Sequence, residues 1–413
     1  MTEASTNPEV RAEVERQMAV LRRGAVDIVS EAELRRKLTR SVATGVPLRV
    51  KLGVDPTATM LHLGFTVALG RLRAFQDCGH RAVLIIGDAT AMVGDPTGRN
   101  ATRPQLTREA VESNAASYLE QVVKILDPRT LEVRRNGEWL ASLDFFGMIG
   151  LLSKRTLAQV FEREDFRNRF RDGTPIHLHE LVYPLLQGYD SVVVKADVEL
   201  GGTEQLFNLM VGRDLQSADG QEPQVCMTLP LLVGLDGSQK MSKSYGNTIG
   251  ISDAPDDMFG KTMSLPDAQT RAWFTLLTDI PSDEIERLCA GHPRDAKVAL
   301  ARFIVARYHG ADAADAAVER FRRVFSNKEV PADLPDVVVP DSLRRAEGRY
   351  AVLDLAMLLG HLKSKSDARR LIAQGGLTLN GTKIVDPAGL VVVQTGDVLR
   401  AGKLHFGKLV VHD

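Results

Sequence analysis

The pattern of apolar residues between positions 48 and 88 constrains the fold of this chain most strongly. "LRVKLGV" (48–54) alternates apolar and polar residues as a strand does, a helix-like stretch follows at 64–78, and Gly79 is placed to end that helix. "AVLIIGD" (82–88) is a continuous apolar run that is typical of a buried strand. Strand, helix and strand at this spacing predict an α/β fold built on a parallel sheet with a right-handed crossover.

The rest of the chain is predicted to add segments around this Rossmann-like sheet. "SVVVKADVEL" (191–200) is predicted to be a strand in the second half of the sheet, and residues 105–185 are predicted to be a largely helical insertion. In chain order, we predict a helical segment at 1–47 with a capping box at "SEAE" (30–33), a Rossmann-like domain at 48–254, a helical domain at 255–328, a proline-rich linker at 329–348 and a small α+β module at 349–413.

Composition excludes several classes of protein. Lysine and arginine number 52 against 53 acidic residues, so any site for a polyanion must be local. The three cysteines, Cys78, Cys226 and Cys289, form no CxxC pair, which argues against a disulfide framework or a zinc site and favours a reducing cytoplasm. The N-terminus is polar and no apolar run reaches membrane-spanning length, so we expect no membrane association.

Positive charge is concentrated in the C-terminal module. Residues 349–413 contain nine Lys or Arg against five Asp or Glu. Four of the basic residues that we single out cluster around the start of a short predicted helix, and the fifth lies in a hairpin predicted at "LTLNGTKIV". They are Lys363, Lys365, Arg369, Arg370 and Lys383. The cluster predicts an RNA-binding surface, although a solvated helix face would have the same composition.

The segment "GVDPTATMLHLGF" (53–65) lies where the first strand ends and the helix begins. In open parallel sheets this edge is the usual ligand crevice. His62, Gly64 and the free amides of the helix start could bind a polyphosphate, because helix N-termini favour anions and glycine permits close approach. Taken alone, the histidine could equally be structural.

A second segment, "GSQKMSKSYGN" (237–247), places Lys240 and Lys243 in a flexible polar stretch. Two surface lysines in a loop would need no function. However, the two segments belong to opposite halves of the predicted sheet, and we therefore expect them to face each other across one crevice.

Together these segments resemble the HIGH and KMSKS signatures of class I aminoacyl-tRNA synthetases, and the surrounding residues resemble the tyrosyl-tRNA synthetase family. The terminal module resembles an S4 RNA-binding domain. The resemblance implies that ATP, with Mg²⁺, activates L-tyrosine to tyrosyl adenylate and that the tyrosyl group passes to the 3′ end of tRNA(Tyr). It also implies a homodimer formed through the inserted segment, a helical domain on the anticodon side of the tRNA, and no structural metal.

The resemblance further implies roles for individual residues around ATP. Thr57 and His62 would hydrogen-bond the phosphates in the transition state, and Lys240 and Lys243 would close over the leaving pyrophosphate. The remaining implied ATP-binding residues are Gly53, Asp55, Gly64, Phe65, Gly202, Glu204, Met241, Ser242 and Ser244.

For the amino acid, "LVYPLLQGYD" places Tyr183, Gln187 and Asp190 at i, i+4 and i+7, on one face of a helix. The resemblance implies that Asp190 accepts a hydrogen bond from the tyrosine phenol. It also implies that Tyr183, Gln187 and Asp95 hold the α-ammonium. The other implied pocket residues are Thr90 and Gln205. Lys51, which departs from the family, is assigned to the pocket with two alternatives: it pairs with Asp190 and tunes its pKa, or Asp190 carries phenol selection almost alone. Alternatively, Asp190 could merely cap a turn.

Three positions depart from the family pattern. Phe65 stands where the first signature usually has a second histidine, Lys51 replaces a common tyrosine, and Glu204 is one methylene longer than the usual aspartate. These departures leave alternatives open: an RNA-binding or regulatory relative with weakened activation, an enzyme for a modified aromatic amino acid, or a nucleotidyltransferase with an HxGH-type site. The intact pocket residues argue against the first alternative.

Overall fold

The computed structural model describes residues 7–57, 59–97, 107–325, 334–345, 348–360, 362, 364–402 and 405–411, with the side chains of 324 and 325 excepted. The chain divides into two compact units, residues 1–314 and 315–413, which we describe separately. Within the described ranges, no helix combines the length and the apolar character needed to cross a membrane.

A mixed sheet in the order β1-β6-β5-β2-β3-β4 forms the centre of the first unit. Its described strands are β1 (Asp27–Val29), β2 (Arg49–Val54), β3 (Arg81–Ile86), β4 (Leu131–Arg135), β5 (Val198–Gly202) and β6 (Val225–Leu229). The strands from β6 to β4 run parallel, and β1 pairs antiparallel with β6 at one edge. The predicted α/β fold with a parallel sheet is confirmed.

Helices cover this sheet and extend beyond it. They are α1 (Pro8–Leu21), α2 (Glu31–Thr44), α3 (Leu63–Asp77), α4 (Asp88–Val93), α5 (Arg108–Val122), α6 (Gly137–Leu140), α7 (Phe145–Leu152), α8 (Leu157–Val160), α9 (Glu164–Arg171), α10 (Leu178–Val194), α11 (Leu206–Ala218), α12 (Pro255–Met263), α13 (Thr270–Leu277), α14 (Ser282–Ala290), α15 (Pro293–His309) and α16 (Ala311–Phe325), which contains the division between the units.

The β2–α3–β3 crossover follows from the sequence pattern. Residues 82–86 of β3 are fully buried, as expected for a strand covered on both faces. Gly79 has φ of +87°, a conformation that glycine adopts without strain, and the chain reverses there into β3. The predicted capping box is also confirmed, because Ser30 and Glu33 exchange side-chain to backbone hydrogen bonds at the start of α2.

Two predicted elements differ from the structure. The strand predicted at 191–200 begins only at Val198, because α10 continues through the β-branched residues to Val194 and ends where Lys195 adopts a left-handed conformation. Strand β4 lies inside the stretch that was predicted to be largely helical. In both places the tertiary setting overrides local propensity, since α10 packs on α11 and β4 completes the sheet edge beside β3.

Helix α10 can approach α11 closely because position 188 has no side chain. A Cβ atom at Gly188 would lie 3.1 Å from the backbone nitrogen of Gly212. This close packing fixes the helix that carries the predicted tyrosine-binding residues.

The second unit has its own core around a sheet in the order β10-β9-β12-β13-β7 and a two-stranded β11-β8 pair. Its described elements are β7 (Asp336–Val339), β8 (Arg349–Ala351), α17 (Val352–Leu358), α18 (Lys365–Ala373), β9 (Leu377–Leu379), β10 (Thr382–Ile384), β11 (Leu390–Val392), β12 (Val398–Ala401) and β13 (His405–Val411). The β9–β10 hairpin turns at Asn380 and Gly381, both with positive φ, as the sequence predicted.

The predicted linker at 329–348 requires a correction. Its Val-rich segment forms β7, which pairs in parallel with β13. The apolar β-branched run between two prolines therefore belongs to the C-terminal sheet. The finer domain boundaries remain predictions.

Candidate active site

A cavity of about 700 Å³ opens at the carboxyl ends of the parallel strands. Residues at the ends of β2, β3, β5 and β6 form its floor, and both signature segments form its walls. This is the position at which open α/β sheets bind ligands.

Backbone hydrogen bonds bring the two signature segments together. The amide of Leu63 donates to the carbonyl of Ile249 at 2.9 Å, and the amide of Ile251 donates to the carbonyl of Leu61 at 3.0 Å. The chain that follows the lysine loop, which we define as residues 240–246, is thus joined directly to the segment that carries His62. The expectation that the two segments face one crevice is confirmed.

His62 is the N-cap of α3 and is 8% exposed. Its Nδ1 accepts a hydrogen bond from the amide of Gly64 at 3.2 Å, which assigns the proton of the neutral ring to Nε2. Burial, and then the positive charge of Lys243, lower the pKa of His62 to about 4. The imidazole is therefore a neutral hydrogen-bond donor at physiological pH. Gly64 has no room for a side chain, because a Cβ atom there would lie 2.9 Å from the imidazole.

Phe65 packs against His62, with ring centroids 4.6 Å apart, and against Tyr118 in an edge-on arrangement at 6.1 Å. Its ring is 36% exposed and lines the cavity. The residue that replaces the family's second histidine thus supports the imidazole by packing.

The lysine loop contributes the positive charge of the cavity. Lys240 and Lys243 both line it, and partial burial lowers the pKa of Lys243. Across the cavity, burial raises the pKa of Glu204, while Lys240 opposes this rise. A Cβ atom at Gly202 would lie 2.3 Å from the Glu204 carboxylate, so the longer acidic side chain is accommodated against a glycine.

Tyr183, Gln187 and Asp190 all line the cavity from α10, which confirms that they share one helix face. The hydroxyl of Tyr183 donates to Asp55 at 2.9 Å, and the hydroxyl of Thr90 donates to the other carboxylate oxygen at 2.7 Å. Burial, together with the nearby acidic groups, raises the pKa of Asp55 to about 7, although the two hydrogen bonds lower it. The structure therefore joins Asp55, which was predicted to contact ATP, to the predicted tyrosine-binding side chains.

Asp190 is held in a fixed orientation at the back of the cavity. The indole of Trp139 donates to its carboxylate at 2.9 Å, and the carboxamide of Asn136 donates to the second oxygen at 3.3 Å. Burial raises the pKa of Asp190 to about 6, and the positive charge of Lys51 opposes the rise. An oriented, desolvated carboxylate of this kind is suited to accept a hydrogen bond from a phenol.

Lys51 does not line the cavity, so its assignment to the tyrosine pocket is wrong, but the alternative that it tunes the pKa of Asp190 agrees with the structure. Its ammonium forms a fully buried ion pair with Glu199 at 2.9 Å, and it donates to the hydroxyl of Ser191 and the carbonyl of Gln187, both at 2.8 Å. The cause is the sheet register, which places Lys51 on β2 beside Glu199 on β5. Lys51 therefore acts on Asp190 through its charge and not by direct contact with a ligand.

The predicted ammonium-binding end of the cavity is a connected polar network. Gln205 donates to Asp95 at 2.8 Å, and Asn208 donates to the carboxamide oxygens of both Gln205 and Gln187, at 2.9 and 3.1 Å. The guanidinium of Arg163 closes the network, with a hydrogen bond to Asn208 at 3.2 Å. These bonds fix the polar side chains before a ligand enters.

The cavity contains every predicted catalytic, ATP-binding and tyrosine-binding residue except Lys51. Their assignment to particular substrate atoms remains a prediction. Sequence reasoning missed several residues that orient them, namely Asn136, Trp139, Arg163, Glu199, Asn208 and Asn247. The only available signal was that buried polar side chains need partners, and no local motif identifies those partners.

In the second unit, the predicted basic residues lie on the surface. Lys365 is 63% exposed and pairs with Asp354 at 2.9 Å, and Arg370 is 68% exposed and pairs with Asp367. Arg369 and Lys383 are also exposed, whereas Lys363 lies outside the described residues. Exposed ion pairs contribute little stability. The RNA-binding role of these residues remains a prediction.

Comparison with known proteins agrees with this geometry. Residues 43–326 match the sequence family described as "tRNA synthetases class I (W and Y)". The chain is 53% identical to a tyrosine–tRNA ligase of Symbiobacterium thermophilum over 404 residues, covering 96% of this chain and 98% of that protein. It is 49% identical to a tyrosine–tRNA ligase of Moorella thermoacetica over 407 residues, covering 97% of each chain.

Solved structures resemble the fold at lower sequence identity. The tyrosyl-tRNA synthetase of Archaeoglobus fulgidus, complexed with L-tyrosine, superposes with a TM-score of 0.59 at 22% identity, covering 74% of this chain and 98% of that chain. A C-terminally truncated mitochondrial tyrosyl-tRNA synthetase of Aspergillus nidulans gives a TM-score of 0.63 at 21% identity, covering 76% and 94%. The comparisons give no support to the alternatives of a regulatory relative or a modified substrate. The chain belongs to the tyrosine–tRNA ligase family of class I tRNA synthetases.

Proposed function

We propose that this chain activates L-tyrosine with ATP and transfers the tyrosyl group to tRNA(Tyr). One observation carries the proposal: the His62 segment, the lysine loop and the polar face of α10 all line one cavity. A cavity lined by two lysines and by an oriented, buried carboxylate has the groups needed to bind a triphosphate and an aromatic amino acid.

In the activation step, a carboxylate oxygen of tyrosine attacks the α-phosphorus of ATP. The new C–O–P linkage forms as the bond from the α-phosphorus to the bridging oxygen breaks, and pyrophosphate leaves with that electron pair. No protein nucleophile is required, so the protein acts by positioning and electrostatics. His62 donates from Nε2 to a phosphate oxygen, Thr57 adds a hydroxyl donor, and Lys240 and Lys243 neutralise the departing pyrophosphate.

Selection of tyrosine rests on Asp190. Its carboxylate accepts from the phenol hydroxyl, while Trp139 and Asn136 hold it in place. Phenylalanine would leave this buried acceptor without its partner, a penalty of about 1–3 kcal/mol or more for a charged group. Discrimination against phenylalanine by tyrosyl-tRNA synthetases is the established example of this effect, and it comes from the same family.

Mg²⁺ enters the proposal as part of the nucleotide substrate. Among the described residues, no three His, Cys, Asp or Glu side chains are grouped to hold a metal ion. The ion would therefore travel with the phosphates of ATP. Cys78, Cys226 and Cys289 are free thiols, which supports a cytoplasmic location.

A homodimer is supported by apolar residues that the inserted segment exposes. Phe145 and Phe146 of α7 are 72% and 79% exposed, Phe170 of α9 is 71% exposed, and Leu178 of α10 is 82% exposed. Exposed large apolar residues at this density are typical of a protein interface. We expect Phe146→Asp to convert a dimer to a monomer in analytical ultracentrifugation, with Glu164→Gln on the same insertion as a control that leaves the mass unchanged.

Tyrosine-dependent ATP–pyrophosphate exchange tests the proposed activity directly. We expect exchange with tyrosine, and a rate at least about a hundredfold lower with phenylalanine or tryptophan. Lys243→Ala is expected to slow exchange strongly, since it removes a cation from the leaving group. Exchange that is absent with tyrosine, or equal for the three amino acids, would refute the proposal.

A further inference from the structure

Asn247 is a buried polar residue directly after the exposed end of the lysine loop. It is 3% exposed, whereas its neighbours Lys243 and Tyr245 are exposed. It does not line the cavity. Its carboxamide is packed so closely that a Cβ atom at Gly234 would lie 2.3 Å from Nδ2. A carboxamide buried in this way must find its hydrogen-bond partners within the protein.

The partners of Asn247 lie within the lysine loop and in the chain just before it. Its Oδ1 accepts from the amide of Ser242 at 2.8 Å, and its Nδ2 donates to the carbonyl of Lys240 at 3.2 Å and to the carboxylate of Asp236. Its own carbonyl accepts from the amide of Leu235 at 3.1 Å. The Asn247 side chain therefore holds the backbone both at Lys240 and at Ser242, the residue before Lys243.

The hairpin at residues 233–240, to which Asn247 is bonded, is itself held by the helical part of the first unit. Val233 and Lys240 pair as an antiparallel bridge, and the fully buried indole of Trp273 donates to the carbonyl of Val233 at 3.0 Å. Gln269 donates to the carbonyl of Gly237 at 3.2 Å. Asn247 thus adds side-chain bonds between the exposed loop and this hairpin, beside the backbone bond from the amide of Met241 to the carbonyl of Leu232 at 2.7 Å.

We propose that Asn247, together with Asp236, is a positioning residue that holds Lys240 and Lys243 toward the triphosphate by hydrogen bonding. The inference rests on the proposed role of these lysines in the ATP step. If the bonds break, the backbone at 242 loses its support from Asn247, while Lys240 keeps only its backbone bridge to Val233. Cations displaced by about 1 Å lose about a hundredfold in rate. The tyrosine side of the cavity, built from α10, is unaffected.

Exchanging the two side chains separates hydrogen bonding from packing. Asn247→Asp places a carboxylate beside Asp236, and Asp236→Asn alone places two carboxamides together. The double variant D236N/N247D restores the bond with donor and acceptor exchanged. In it, the oxygen at 236 still accepts from the amides of Ser238 and Gln239, and the oxygen at 247 still accepts from Ser242.

In tyrosine-dependent exchange, we expect N247D to lower kcat/KM for ATP by about tenfold or more, with KM for tyrosine unchanged. We expect the double variant to recover most of the loss seen in N247D but not the full parent rate, because the carboxylate at 247 is buried and its second oxygen faces the Lys240 carbonyl without a proton to donate. Asp283→Asn, a change in an 80% exposed side chain of α14 that does not line the cavity, is the control and is expected to keep the parent rate.

A second measurement does not depend on activity. Lys240 and Lys243 are exposed, so trypsin cleavage after them, followed by mass spectrometry, reports how firmly the loop is held. We expect faster cleavage in N247D and restoration in the double variant, with cleavage after Arg129, which is 86% exposed, unchanged throughout. A double variant as impaired as N247D in exchange and cleavage would overturn the inference. Absent exchange in the parent, with cleavage behaving as expected, would instead refute only the proposed function.

Discussion

Replacing Asp190 by asparagine is expected to stabilise the folded protein at alkaline pH while impairing tyrosine activation. Asp190 is 3% exposed, and burial raises the pKa of its carboxyl to about 6 from 3.8. Because the folded protein binds this proton more tightly than the unfolded chain does, ionisation penalises the folded state. The penalty is absent below the unfolded pKa of 3.8, is still small near pH 4, grows as the pH rises to about 6, and is constant above that.

The magnitude follows from the two pKa values. A separation of about two pH units corresponds to about 3 kcal/mol in the free energy of unfolding. Asparagine offers one oxygen to two donors, Trp139 and Asn136, and the unmatched donor costs about 1 kcal/mol. The variant should therefore be more stable than the parent by about 2 kcal/mol at pH 8, and should show no gain at pH 4.

Urea unfolding followed by tryptophan emission measures this difference, since both tryptophans, Trp139 and Trp273, lie in the first unit. Asp77→Asn is a matched control, because it removes the same charge from a side chain that is 58% exposed. Its effect on stability should be small at both pH values. A gain for Asp190→Asn that is equal at pH 4 and pH 8, or a loss at pH 8, would refute the reasoning.

Further perturbations test other parts of the site. Lys51→Met leaves the buried Glu199 without its counter-charge and is expected to lower the free energy of unfolding, measured in urea, by about 3–5 kcal/mol. The double variant K51M/E199Q should recover most of this loss, and equal losses in the two variants would contradict the pairing. Phe65→His adds a donor at the cavity edge and is expected to lower the KM for ATP in pyrophosphate exchange by a few fold; an unchanged or higher KM would contradict it. R369E/R370E is expected to reduce tRNA charging by about tenfold or more while leaving exchange intact, whereas parallel losses would contradict a separate RNA-binding role.

The central part of the fold was predictable because local patterns and tertiary structure agree there. The 48–88 segment has strand and helix periodicities that match β2, α3 and β3. The two signature segments could be placed at one crevice because strand ends meet at one edge of a parallel sheet. Helix spacing alone was enough to place Tyr183, Gln187 and Asp190 on a common face.

The remaining features depend on contacts between residues far apart in the chain. Lys51 meets Glu199 only because β2 and β5 are neighbours in the sheet, and the register that pairs them has no local signature. Trp139 reaches Asp190 from a segment after β4, a strand that was hidden in a stretch of helical composition. Asn247 resembles an ordinary loop residue until its burial and its bonds to Asp236 and Ser242 are known.

A structure of the protein bound to tyrosine and a non-hydrolysable ATP analogue would show whether both signature segments bind one triphosphate. We expect the triphosphate to lie between the imidazole of His62 and the ammonium groups of Lys240 and Lys243, with the tyrosine phenol on Asp190. A nucleotide bound outside this cavity, or phosphates contacted by only one of the two signature segments, would contradict it.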